Sequence, residues 1–207
     1  SESAFAGSGQ PGEQAMPPPG VIWEARVKEP LVALTFDDGP DPVYTPQLLE
    51  LLKRYNARAT FFVTGRRLQE YPHLGARAAA EGHLLGNHGL EHKDYSSLPP
   101  EAVVAEVTEA GAMIQKLTGK RPSVFRPPFG AFSPAVVDLL EQHDYHLVLW
   151  TWSTNSQDSL DNPSTEEIAS RILQGAKPGA IILLHDHGGD RGPMVAAVER
   201  VLAELGG

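Results

Sequence analysis

Leu31-Val32-Ala33-Leu34-Thr35-Phe36-Asp37-Asp38-Gly39-Pro40 reads as a short apolar strand running into a tight turn. At the junction stand two adjacent carboxylates. Neighbouring carboxylates repel, so keeping both ionised requires a nearby cation or a shared proton. Successive strand side chains point to opposite faces, but once the chain turns at Gly39-Pro40 both Asp37 and Asp38 can swing toward one mouth. Taken alone, Asp-Asp-Gly-Pro is equally well a polar turn.

Outward from this stretch, short apolar runs alternate with helical patterns, the mark of an α/β domain around a largely parallel sheet. Further strands are expected at Ala59 to Val63, His83 to Gly86, Ser123 to Phe125, His146 to Trp150 and Ala180 to Leu184. Helices are expected after Thr45-Pro46, from Pro100 to Leu117 with a stop at Gly119, and after Ser164, which with Glu167 forms a capping box. Residues 1 to 20, rich in Ser, Gly, Gln and Pro, read as a flexible linker ahead of one domain over residues 21 to 207. A first residue of Ser fits removal of an export signal and an artificially trimmed chain equally well.

The 207 residues carry a net charge of −9 with no Lys/Arg run, which argues against nucleic acid or an anionic membrane as the main partner. No apolar segment approaches the length of a membrane span. Cysteine is absent, so any metal must be held by His, Asp or Glu.

The reactive residue types gather at the carboxyl ends of the expected strands. Asp37 and Asp38 follow the first, His88 and His92 the third, and Arg126 the fourth; Asp158 comes a short loop after the fifth, and His185 directly follows the sixth. In a parallel barrel or sheet those ends share one face, where such folds build their sites. His88-Gly89-Leu90-Glu91-His92 places two imidazoles at i and i+4, one face if helical. Asp38 completes a two-histidine, one-carboxylate set with room for water, as in a catalytic ion site. The pentapeptide also matches the inverted zinc-protease pattern with Glu91 as base, although Gly86 and Gly89 weaken a helix there. A non-haem iron triad is a further alternative on residue types alone. Neither alternative uses Asp37, Arg126 or His185. Arg126-Pro127-Pro128-Phe129-Gly130 is a rigid loop that can hold a carboxylate through a bidentate guanidinium pair.

In combination and in order, these motifs resemble the polysaccharide deacetylases of carbohydrate esterase family 4. Thr35 to Pro40 matches the first family motif, His88 and His92 the second, Arg126 to Gly130 the third, and Leu183-Leu184-His185 the fifth. The resemblance implies a distorted (β/α) barrel of about seven parallel strands with the site at the strand C-termini. It implies one divalent ion, zinc first, with cobalt, nickel, manganese or iron as alternatives. It assigns Asp38, His88 and His92 as ligands, Asp37 as base, His185 as acid, and Arg126 and Asp158 as their respective partners. The Phe129 amide would stabilise the oxyanion, and Pro127, Leu183 and Trp152 would line the substrate. The implied partner is an acetylated glycan, met by a secreted or envelope-associated monomer. O-acetyl xylan esterase, small-amide hydrolase and non-catalytic glycan-binding relative are the competing expectations.

Departures from the family pattern carry expectations too. Gly89 replaces a Ser or Thr that helps fix the histidine loop, predicting a looser loop or weaker metal affinity. Ser159 replaces a Trp that walls the acetyl pocket, a gap that Trp152 or Phe132 would have to fill. Phe129 replaces a Tyr, which leaves its backbone donor in place. The sequence after Leu205-Gly206-Gly207 lacks the last strand of the resemblance, predicting an open barrel.

Overall fold

A computed structural model describes residues 17–206. Seven parallel strands form one sheet: β1 (Val21–Ile22), β2 (Ala33–Asp37), β3 (Ala59–Val63), β4 (Leu84–Asn87), β5 (Val124–Phe125), β6 (His146–Val148) and β7 (Ile181–His185). Their order is β1-β6-β5-β4-β3-β2-β7. The sheet curls: beyond β1, Glu24 forms an isolated antiparallel bridge with Ala180, just ahead of β7. The expected distorted barrel is therefore present as a curled sheet whose edge strands meet through that bridge.

Helices α1 (Tyr44–Arg54), α2 (Gly65–Glu70), α3 (Pro72–Ala80), α4 (Pro100–Thr118), α5 (Pro134–Gln142), α6 (Thr165–Gly175) and α7 (Gly192–Leu205) connect or follow the strands. Their starts and stops have local causes. The Asp41 carboxylate accepts from the Val43 and Tyr44 amides at the head of α1. The Ser164–Glu167 capping box opens α6 as expected, and α4 ends on Gly119 at φ 74°, a left-handed position open to glycine.

All six expected strands are present, Ala59–Val63 with the expected ends and the other five with shifted ones. β2 starts at Ala33 because Leu31 is exposed, and it takes in Asp37. β1 was not expected; two residues carry no period to read. Of the linker expected over residues 1 to 20, residues 1 to 16 lie outside the described residues. Residues 17 to 20 lead into β1 through a turn in which the Val21 amide donates to the Pro18 carbonyl.

The period-2 alternation of the strands sorts the core and aims the site. Leu34, Phe36, Phe61, Val63, Ile182 and Leu184 pack with Leu48, Ile172 and Val198 of the helices in one buried cluster. Phe62, Ile181 and Leu183 belong to a second cluster with Phe125, Leu147 and Trp150. Asp37 is the register partner of both Phe62 and His185. By parity with Phe62 and Leu183, it faces the second side together with His185. Two chemically active groups thus reach one mouth because β2 and β7 are neighbours in register.

Candidate active site and metal centre

Asp37 ends β2 with only 3% of its surface exposed, and the side chain facing it, Arg126, is fully buried. Arg126 Nη1 donates to Asp37 Oδ1 at 2.7 Å and to Thr35 Oγ1 at 2.7 Å. Its Nη2 donates to the Leu149 carbonyl at 2.8 Å and its Nε to the Val148 carbonyl at 3.3 Å. Below the guanidinium lies the Phe62 ring, 4.2 Å away. Burial lowers the Arg126 pKa, and the Asp37 carboxylate opposes that fall. A bidentate pair was expected; the structure instead spends one nitrogen on the carboxylate and the other two on backbone carbonyls. Every nitrogen thus has an acceptor, as a buried charge requires.

At Asp38 the backbone leaves the strand with φ 79°, uncommon for any residue but glycine. This reversal sends the second carboxylate toward the same mouth. Asp38 Oδ1 lies 3.1 Å from His88 Nε2 and 3.2 Å from His92 Nε2. His88 Nδ1 is 2.7 Å from the Arg126 carbonyl, which can only accept, so Nδ1 carries a proton and Nε2 is the atom turned to Asp38. A protonated Nε2 makes that contact a hydrogen bond, and a neutral one turns its lone pair to the same point, as a metal ligand does. The three donor atoms lie within 4.8 Å of one another. Tetrahedral ligands at about 2.1 Å from an ion stand about 3.4 Å apart, so the set fits a divalent metal. Burial would raise the Asp38 pKa, but its contacts with His88 and His92 pull it well below the carboxylate range. Burial would likewise lower the His88 pKa, and the charges of Asp37 and Asp38 raise it instead.

Residues 88 to 92 form a bent loop, not a helix. The inverted zinc-protease reading therefore loses the geometry it needs, and Glu91 is exposed. The loop is pinned by residues outside the motifs. Asn87, fully buried, accepts the Gly89 amide on Oδ1 at 2.9 Å and donates through Nδ2 to the Val107 carbonyl at 2.7 Å. Gly89 sits at φ +84°, and a Cβ there would run into the Tyr95 hydroxyl and ring. The hydroxyl of Tyr95 bonds to the Glu106 carboxylate at 2.7 Å and to the Glu91 carbonyl at 3.1 Å. Where the family places a small hydroxyl residue, this chain places a glycine under a tyrosine that reaches the same loop.

His185 closes the opposite side. Its Nδ1 is 2.8 Å from Asp158 Oδ1, and its backbone amide donates to Asp158 Oδ2 at 2.8 Å. Both carboxylate oxygens thus serve one histidine, leaving Nε2 turned away from Asp158. Burial alone would lower the His185 pKa; the Asp158 carboxylate, helped by Asp38 and Asp37, raises it to about 9.

The remaining expected residues fall into two groups. Phe129 is 58% exposed at φ 62° and meets the His92 ring edge-on at 4.6 Å, while Pro127 and Leu183 are buried beneath the loop and the sheet. Trp152 is half-buried and packs edge-on against Trp150. Phe132, its expected alternative as a pocket wall, is buried in the same cluster as Leu183 and Trp150. Trp150, expected only as the end of a strand, stands beside the site. Its ring lies where a Cβ on Gly130 would fall, 6.0 Å from the Arg126 guanidinium, and its indole nitrogen is buried with no protein partner.

The comparisons with known proteins agree with this geometry. A family model described as polysaccharide deacetylase matches residues 24–148, from before β2 to the end of β6. A peptidoglycan-N-acetylglucosamine deacetylase of Bacillus cereus is 42% identical over 185 residues, 89% of this chain and 86% of the relative. A chitooligosaccharide deacetylase of Azorhizobium caulinodans is 35% identical over 156 residues, 75% of this chain and 73% of the relative. The crystal structure of a peptidoglycan N-acetylglucosamine deacetylase in complex with an N-oxidanyl-benzamide aligns with a TM-score of 0.85 at 29% identity, covering 90% of this chain and 86% of that one.

Proposed function

The chain belongs to the polysaccharide deacetylase family, and on that premise we propose that it removes N-acetyl groups from N-acetylglucosamine or N-acetylmuramic acid units of peptidoglycan or chitin-like glycans. The observation that carries the reading is the division of the adjacent carboxylates: Asp38 faces two imidazole nitrogens, while Asp37 faces the buried Arg126 guanidinium.

Asp38, His88 and His92 would hold one divalent ion, zinc in our reading. When bound, that ion supplies Lewis-acid chemistry, making an attacking water more acidic and polarising the acetyl carbonyl. Asp37 is the base: Arg126 occupies Oδ1, while Oδ2 lies 3.9 Å from His88 Nε2, beside the ligand atoms, free to take a proton from water. His185 is the acid. Asp158 binds Nδ1, so Nε2 delivers the proton without which an amine cannot leave. The Phe129 amide is assigned the developing oxyanion.

Against a non-catalytic glycan-binding relative, the support is that acid, base and ligand set are all present with partners in place. A cell-wall substrate implies work outside the cytoplasmic membrane, and no described helix is long and apolar enough to cross one. The test is acetate release from a panel of peptidoglycan, chitooligosaccharides and acetylxylan. Release should vanish with a chelator and return with zinc or cobalt; no metal-restorable release on any of them would overturn the reading. Acetylxylan alone as substrate would move it to the O-acetyl esterase.

A further inference from the structure

The acid half of the site is tied down by an arginine that lies in none of the motifs. Arg191, directly before α7, donates through Nη1 to the Asp158 carbonyl at 2.8 Å and through Nε to the His187 carbonyl at 3.3 Å. One guanidinium therefore joins the loop carrying Asp158 to the loop that continues β7 past His185. Beside its bonds to His185, the Asp158 loop is tied to β7 by the buried Ser156, whose hydroxyl donates to the Leu183 carbonyl at 2.6 Å and accepts from the Asp158 amide at 3.3 Å. Residues 156 to 163 are neither helix nor strand, and Gln157, Asp161 and Asn162 take positive φ. Behind the loop opens a cavity of about 320 Å³, lined among others by Asp158, Ser159, Pro163, Ile168, Arg191 and Met194. Atoms facing a void lose contacts on that side, so packing resists a shift of the loop weakly. Two arginines add to these polar ties: Arg191 at Asp158, and Arg171 of α6 at the Ser156 carbonyl, 3.3 Å away. The cavity wall includes Ser159, the residue standing where the family pattern has its Trp.

We propose that Arg191 is a positioning residue for the deacetylation: by bridging the Asp158 and His187 carbonyls beside the cavity, it holds the Asp158 carboxylate on His185 so that Nε2 meets the leaving amine. The inference rests on the reading of His185 as general acid. A planar guanidinium suits the task because its forked donors reach two carbonyls at once, which an ammonium does less well.

A leaving-group comparison separates positioning from mere structure. An amine departs only once protonated, whereas nitrophenolate, leaving from nitrophenyl acetate, needs no acid. Metal-reconstituted wild type, Arg191→Met, Arg191→Lys and His185→Ala would be assayed on an N-acetylated chitooligosaccharide and on nitrophenyl acetate. Arg191→Met is expected to lower kcat on the amide about tenfold with KM unchanged, while ester turnover stays within about twofold, as befits a group acting through a catalytic partner. Arg191→Lys should recover part of the amide loss. Equal losses on both substrates would overturn the proposal by making Arg191 a general support of the fold or metal site, and no loss on either would overturn it outright. His185→Ala is the reference. If it spares the amide, the acid reading itself fails; if it loses the amide while Arg191→Met does not, only the role of Arg191 fails. Should Arg191→Met not yield folded protein, Arg191→Gln and Arg191→Lys supply the same amide-to-ester ratio.

Discussion

Asp37 and His185 are register partners on adjacent strands, yet Asp37 is held by a fully buried guanidinium in the core and His185 by a carboxylate on an irregular loop beside a cavity. On the base side every Arg126 nitrogen has an acceptor, and Thr35, β6 and the Phe62 ring all contribute. On the acid side the same precision depends on a few polar ties across loops. The difference teaches that the two halves should fail differently. Damage to the base half costs the fold as well as the chemistry; damage to the acid half costs chemistry with little loss of fold.

The largest effect expected is that of Arg126→Leu. It strands Asp37 as a buried, uncompensated charge, a change that costs about 3–5 kcal/mol in comparable pairs. Denaturant unfolding should show that loss together with extinguished activity, and a stability change under about 1 kcal/mol would erase the contrast between the halves. Next comes His185→Ala, expected to lower amide turnover by roughly 10²- to 10⁴-fold while metal content holds. Stoichiometric loss of metal in that variant would make His185 a ligand instead of an acid.

Asp158→Asn reads the acid half more finely. With a pKa near 9, His185 is protonated at neutral pH, and that form is lost as pH rises through the folded value. A dication at Asp38 cancels that carboxylate's share and lowers the value, but leaves the share of Asp158 intact. Replacing Asp158 leaves burial unopposed by its nearest charge, so the descending limb of kcat against pH should move to lower pH. Because the folded pKa lies above the ordinary 6.5, this proton adds stability that is complete below that pH and fades toward 9. An unmoved limb would mean that Asp158 only shapes the loop. The smallest effect is expected from Tyr95→Phe. Removing the hydroxyl that bridges Glu91 and Glu106 should weaken metal affinity by about tenfold or less, with kcat at saturating metal preserved. Unchanged affinity would show that Asn87 alone secures the histidine loop.

Much of this was legible along the chain because it is local. The strand end at Phe125, and those within one residue of Asp37 and His185, follow from apolar runs meeting Gly, Pro or charge, and the parallel order places their C-termini together. What escaped is tertiary. That residues 88 to 92 bend instead of coiling depends on Asn87 and Tyr95 gripping the loop from β4 and from the approach to α4. The set of acceptors around the Arg126 guanidinium could not be foreseen, since those on β2 and at the end of β6 are distant in sequence. Arg191 looks like any arginine before a helix until the fold brings Asp158 beneath it. Trp150 was counted as strand because nothing in a run of apolar residues marks the one that turns toward the site.

The central claim is the division of labour between two neighbouring carboxylates, and paired metal titrations test it most directly. Apo Asp37→Asn and apo Asp38→Asn, both confirmed folded, would be titrated with zinc beside wild type. Asp38→Asn should lose at least about tenfold in affinity, the scale on which altered metal shells register, while Asp37→Asn stays near wild type with its activity gone. Equal metal affinities in the two variants would contradict the account.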